Sequence, residues 1–252
     1  MGDFDDAVSL DAALAGVAGV FSVQLPSGPH DPESEVRTGK ALIEAAYRAG
    51  VDVIVHTSVA RAGDHEQFTG WADGRWEPTY WLNKAAVNEM VKARGFRHWV
   101  VLKPAMILGN IVPPVADFMF PTLAQRGEID TALEPGTRLD WIAPDDIGAF
   151  AAAAFANPGR FHGHEIDLAV ESVTMSELAA KISEATGKPV SAVTSSEEDL
   201  VARGYHAGMI RSQIWDNVEG YKVDLDGVRS WGVPLTSLDA FIEQNRDKFV
   251  IG

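Results

Sequence analysis

Residues 51–60, VDVIVHTSVA, open on a β-branched apolar run and close on two adjacent hydroxyl side chains. Val51, Val53, Ile54 and Val55 make the kind of short uninterrupted run that is buried on both faces of a parallel sheet. Thr57 and Ser58 then fall at the carboxyl end of that strand. Open parallel sheets bind ligands just beyond the carboxyl ends of their strands, so chemistry is expected beside Ser58.

Working outward, the same unit repeats on both sides. Towards the N-terminus, Glu35–Ala49 carries apolar residues at Val36, Ala41, Leu42, Ala45 and Ala46, a helical spacing that Gly50 ends. Before it, Ser9 reads as the cap of a short helix over Leu10–Ala15. Gly16 to Gly19 break that helix, and Val20, Phe21, Val23 and Leu25 form a strand. Towards the C-terminus, the polar Arg61–Pro78 stretch reads as a loop and Tyr80–Ala93 as a helix closed by Gly95. His98–Leu102 is the next strand, which Lys103-Pro104 cannot continue as a central one. Three such units in series predict an α/β fold, a Rossmann-like parallel sheet with helices on both faces.

The rest of the chain is less regular. Asp145–Phe155, Met175–Thr186, Ser195–Arg203, Met209–Asp216 and Leu238–Phe249 read as helices and Glu165–Ala169 as a strand. Residues 1–117 are therefore expected to form the parallel-sheet domain. Residues 118–252 then form a smaller, mainly helical substrate-side region, the two being separate or one continuous domain.

Composition narrows the function classes. The 252 residues are 46% hydrophobic, enough for a sizeable core, and contain no Cys, which removes disulfides, thiolate metal sites and thiol nucleophiles together. Lys and Arg number 21 against 36 Asp and Glu, a formal net charge of −15, so the mean field repels polyanions and nucleic acid is not an expected partner. The start, MGDFDDAVSLDAAL, is acidic where a secretory signal is basic, and no long apolar run follows. The expectation is a cytoplasmic protein that neither spans a membrane nor is secreted.

Tyr80 and Lys84 form a YxxxK pair whose spacing puts both on one helix face. With Ser58 this suits proton transfer coupled to hydride transfer at a carbonyl. The serine hydroxyl holds the substrate oxygen, the tyrosine moves the proton, and the ammonium lowers the cost of a tyrosinate. The competing reading is an amphipathic Tyr at a helix start and a solvated Lys. His162 and His164 could ligate a metal, but with no Cys and no third ligand they read as a polar turn, and no metal is expected. Asp145-Asp146 reads as a helix cap. Trp71, Trp76 and Trp81 read equally as an aromatic wall over a substrate cleft or as packing.

Five segments in order resemble the NmrA-like branch of the atypical short-chain dehydrogenase/reductase superfamily. They are GDFDDAVSLDAALAGVAGVFSV, IVHTSVA, VVLKPAMILGN, LDWIAPDDIGAFAAAAFANPGRFHGHEIDLA and WDNVEGYKVDLDGVRSWGVPLTSLDAFI. The resemblance implies NAD(P) as cofactor, residues 1–117 as a partial NAD(P)-binding Rossmann-like domain, and a small-molecule substrate. It implies that Asp3 and Phe4 lie beside the adenine and that Val23 and Gln24 line the dinucleotide groove. Thr57, Ser58 and Lys84 would then face the nicotinamide ribose, and Pro104, Ala105 and Met106 the nicotinamide. Ser58, Tyr80 and Lys84 match the set of the catalytic members.

In that family a strand, a GxxGxxG turn, a helix and a further strand precede the GDFDD segment. Here the only early glycine pair, Gly16 and Gly19, follows a helix and precedes a strand, the reverse of the order a phosphate loop needs. The expectation is thus an N-terminally truncated Rossmann-like sheet with an apolar edge. The chain would be a fragment of a longer gene product, a homodimer or complex that covers the edge, or a relative that has lost cofactor binding. Three functions stand open. They are an oxidoreductase acting on a carbonyl, quinone or enone, a non-catalytic regulator that binds nucleotide or protein, and an inactive remnant.

Overall fold

The structure, a computed structural model, describes residues 2–252. It divides into two compact units that interleave in sequence, Met1–Pro104 with Ile147–Asp167 and Ala105–Asp146 with Leu168–Gly252. Where the sequence suggests one division at 118, the packing groups 147–167 with the first unit and 105–117 with the second.

The first unit runs α1 (Ala7–Leu14), β1 (Gly19–Val23), α2 (Ser34–Arg48), β2 (Val53–Thr57), α3 (Pro78–Ala93) and β3 (His98–Pro104). β1 pairs with β2 and β2 with β3, both parallel, so that Val23, Thr57 and Leu102 lie side by side at one end of the sheet. His164–Leu168 adds a fourth strand beside β3. The sheet is the expected α/β arrangement, and Ile54, Val55 and His56 at the middle of β2 are all buried. β1 is an outer strand, and its Phe21 and Val23 are exposed.

The cap of α1 differs from the reading at Ser9. Asp6 takes it, its carboxylate accepting from Val8 N and Ser9 N, because a carboxylate two and three residues ahead of unpaired amides satisfies both. Glu77 does the same for α3, accepting from Thr79 N and Tyr80 N with Pro78 in the first turn. α3 turns Trp81, Lys84, Val87, Asn88 and Val91 inward. A side chain at Gly39 of α2 would meet both methyls of Val87 at 3.0 Å, so the close approach of these two helices depends on that glycine.

The second unit mixes helices with short strands. The helix Met175–Thr186 has a full capping box from Thr174 and Glu177 and ends on Gly187 at φ 69. Five short strands were not expected. Met106–Ile107, Arg138–Ile142 and Glu171–Thr174 form one sheet, and Glu128–Thr131 pairs in parallel with Ser191–Thr194. They escape periodicity because they are brief and carry buried charge at Asp130 and Asp140. The C-terminal helix also stops early, at Gln244.

Gly127 ends the helix Pro121–Arg126 at φ 67, and a Cβ there would lie 2.5 Å from the Pro189 carbonyl. Gly127→Ala is therefore expected to cost about 1–3 kcal/mol, read from urea denaturation. An unchanged midpoint would show that the Pro189 backbone yields freely.

Candidate active site

The site begins where β2 ends. Thr57 Oγ1 and Ser58 Oγ are both buried and neither has a hydrogen-bond partner. The Ser58 N–H donates to Leu102 O at 2.8 Å and the Ala60 N–H to Pro104 O at 3.0 Å, which ties the segment after β2 to the end of β3. Two buried hydroxyls without partners are uncommon in a packed protein.

Tyr80 and Lys84 lie one turn apart on α3, with Lys84 Nζ 5.8 Å from the centre of the Tyr80 ring. The structure thus brings these two together, whereas no hydrogen bond joins Ser58 Oγ to either. Lys84 is not a solvated lysine. Its ammonium sits 2.7 Å from Glu35 Oε1, the two side chains 6% and 1% exposed, and donates to Gln24 O at 3.3 Å. Burial pushes the Glu35 carboxyl upward, and the Lys84 charge and hydrogen bond pull it back.

A polar network continues from this ion pair through the sheet. Gln24 is buried, donating from Nε2 to Ser22 Oγ at 3.1 Å and accepting from Thr38 Oγ1 at 2.9 Å. Ser22 Oγ lies 3.1 Å from His56 Nδ1. The ring tautomer sets which of the two donates, because the hydroxyl can accept a second hydrogen bond as well as give its own. Burial first, and the Lys84 charge second, lower the His56 pKa to about 3, so the ring is neutral. Sequence reasoning passed over Glu35, Ser22 and His56, because nothing in their local pattern distinguishes a buried polar residue from a solvated one.

The remaining candidates are scattered in character. Asp3 is exposed and turned onto its own segment, its N–H donating to Ser9 Oγ and its Oδ1 accepting from Asp5 N. Phe4 and Val23 are exposed apolar side chains. Pro104, Ala105 and Met106 are buried. Trp76 and Trp81 are packed rather than displayed, Trp81 edge-on to Phe68 at 4.9 Å and Trp76 Nε1 donating to Thr69 O at 2.9 Å. His162 Nδ1 accepts from Trp99 N at 3.2 Å. Asp146, read as a cap, instead receives both Thr236 N and Thr236 Oγ1 at 2.8 Å, holding the segment ahead of the last helix. No helix among the described residues is long and apolar enough to cross a membrane.

Compared with known proteins, residues 1–247 match the description NmrA-like family. A curated relative, an NAD(P)H azoreductase of Xenophilus azovorans, is 30% identical over 190 residues, 75% of this chain and 58% of that protein. The match thus spans little more than half of that relative's length. Among solved structures, an NADPH-dependent quinone oxidoreductase of Escherichia coli complexed with NADPH superposes with a TM-score of 0.74 at 23% identity, covering 97% of this chain and 82% of the other. NmrA, a negative transcriptional regulator solved in complex with NAD, superposes with a TM-score of 0.71 at 15% identity, covering 97% and 79%. At such identities these two likenesses speak for the fold.

Proposed function

The chain belongs to the NmrA-like family, and from that premise we propose that it serves as an NAD(P)-dependent oxidoreductase reducing a carbonyl, quinone or enone group of a small molecule. The observation that carries this reading is the pair of buried, unpartnered hydroxyls of Thr57 and Ser58 at the end of β2. The azoreductase and quinone oxidoreductase likenesses support the same reaction class.

The residues fit the cofactor in part. Thr57, Ser58 and Lys84 offer two hydroxyls and an ammonium suited to a ribose and nicotinamide amide, and exposed Phe4 and Val23 offer apolar surface to a ring. The side chain of Gln24 does not fit, since its amide is already engaged in the interior. The sequence contains no GxxGxxG turn to cradle a pyrophosphate. A nicotinamide held there would supply the hydride that reduces the substrate carbon. Ser58 Oγ donates a hydrogen bond to the substrate oxygen, and Tyr80 gives that oxygen its phenolic proton, so the carbonyl becomes an alcohol. Lys84 stabilises the tyrosinate left behind.

Two measurements test this. NADPH or NADH should bind the purified chain only at about millimolar concentration, because several charge-assisted hydrogen bonds of ~1.5–3 kcal/mol each are not supplied. Micromolar binding by calorimetry would mean that another segment or a partner chain completes the site. At saturating NADPH the protein should reduce a quinone such as menadione, and Tyr80→Phe should lower the rate about 10²–10⁴-fold. Equal rates in both proteins would remove Tyr80 from the mechanism.

A second reading, a regulator that binds nucleotide without turnover, is favoured by the Glu35–Lys84 pair at 2.7 Å, which neutralises the charge a tyrosinate needs. Dinucleotide binding with no turnover of carbonyls, quinones or enones would decide for it.

A further inference from the structure

A cavity of about 450 Å³ lies wholly within the second unit. It is walled by the strands Arg138–Ile142 and Glu171–Thr174, the end of the helix Ala207–Val218 and the turn that follows as far as Lys222. That volume is in the range of small-molecule sites, roughly 300–1,000 Å³. Its charges are lopsided. Glu134, Asp140, Asp216 and Glu219 face it, against Arg138 and Lys222. Both cations have partners, Arg138 with Glu177 at 3.1 Å and Lys222 with Glu219 at 3.7 Å.

Asp216 is the residue this leaves uncompensated. It is 5% exposed, and neither of its carboxylate oxygens has a hydrogen-bond partner. Asp140, 8% exposed, has one oxygen taken by the Val223 N–H at 2.9 Å and supplies no positive charge. A buried carboxylate in this position must be protonated or find a cation. Burial, and then the charge of Asp140, push its carboxyl well above the ordinary carboxylate value.

We propose that this cavity binds a small organic cation through an ammonium or guanidinium group seated on Asp216, with Asp140 beside it. A bare metal ion fits poorly, since among the described residues no group of three or more His, Cys, Asp or Glu side chains is arranged to hold one. An N–H cation supplies both the charge and the donors that the Asp216 oxygens lack. Tyr221, packed T-shaped against Trp215, is also in the lining, and aromatic rings favour cations. None of the lining residues belongs to the candidate active site, so the proposal stands apart from the oxidoreductase reading.

Binding requires the proton to leave Asp216 for solvent, so affinity should rise with pH. The other charged groups facing it, Glu134, Arg138, Asp140, Glu219 and Lys222, set the background against which that proton is lost. The test is calorimetric titration of the 252-residue protein with putrescine and with agmatine, and with neutral 1,4-butanediol as control, at about pH 6 and about pH 8. Both amines should bind, more tightly at the higher pH and with a heat that depends on the buffer's own ionisation enthalpy. Butanediol should not bind.

Asp216→Asn keeps the shape and removes the charge. It should weaken amine binding at least tenfold while leaving thermal stability unchanged or raised. Asp140→Asn, a second variant should the first fail to fold, should weaken it severalfold. Three results would overturn the proposal. They are no amine binding up to about 10 mM in the folded protein, undiminished binding in the folded variant, and butanediol binding as well as putrescine.

Discussion

Replacing Glu35 by Ala is expected to destabilise the protein by about 3–5 kcal/mol, the cost of leaving one member of a buried ion pair without its partner. Lys84 would keep its place inside, bonded to the Gln24 carbonyl at 3.3 Å and beside the Tyr80 ring, without the carboxylate that balances it. Lys84→Met should cost a comparable amount, because Glu35 Oε2 already lacks a hydrogen-bond partner and Oε1 would lose its ammonium. The double variant Glu35→Ala with Lys84→Met should lose much less than the two single losses added together, since no charge is then stranded. Urea denaturation of the four proteins at neutral pH gives the coupling directly. A Glu35→Ala cost below about 1 kcal/mol would mean that solvent reaches the pair and that its burial is overstated.

The pair also bears on how much of the site the sequence could reveal. The strand at 53–57 is legible because a β-branched run buried on both faces has no other plausible use, and the YxxxK spacing of Tyr80 and Lys84 survives intact on α3. Glu35 is invisible for the opposite reason. An acid in the first turn of a helix is a favourable surface charge by the rules of helix termini, so its local pattern is already explained before its partner from a distant helix arrives. Gln24 was placed in a ligand groove by resemblance, and its backbone does meet Lys84, but its side chain turns inward to Ser22 and Thr38. In the second unit the strand Arg138–Ile142 was missed because Asp140 interrupts its apolar run. That aspartate is buried and held by the Val223 N–H, a long-range bond that no local window contains.

Acidification is expected to weaken the fold through His56, and this is the second large effect. The ring is fully buried in β2 between β1 and β3, its Nδ1 lies 3.1 Å from Ser22 Oγ, and its pKa is lowered to about 3 by burial and the nearby Lys84 charge. Unfolded, it titrates near 6.5. A histidine depressed in the folded state contributes stability that is fully present above about pH 6.5 and is lost as pH falls towards about 3, because the unfolded chain binds the proton first. The linkage amounts to ~2 kcal/mol lost by about pH 5 and ~3 kcal/mol by about pH 4. Carboxylates titrate in the same range, so the comparison that isolates the ring is with His56→Gln, which keeps a hydrogen-bonding side chain and cannot charge. The variant should be less stable at neutral pH and should show a shallower loss between about pH 7 and about pH 4, the two curves converging on the acid side. Parallel curves would mean that His56 titrates alike in both states, and the buried network from Lys84 to His56 would then have to be open to water.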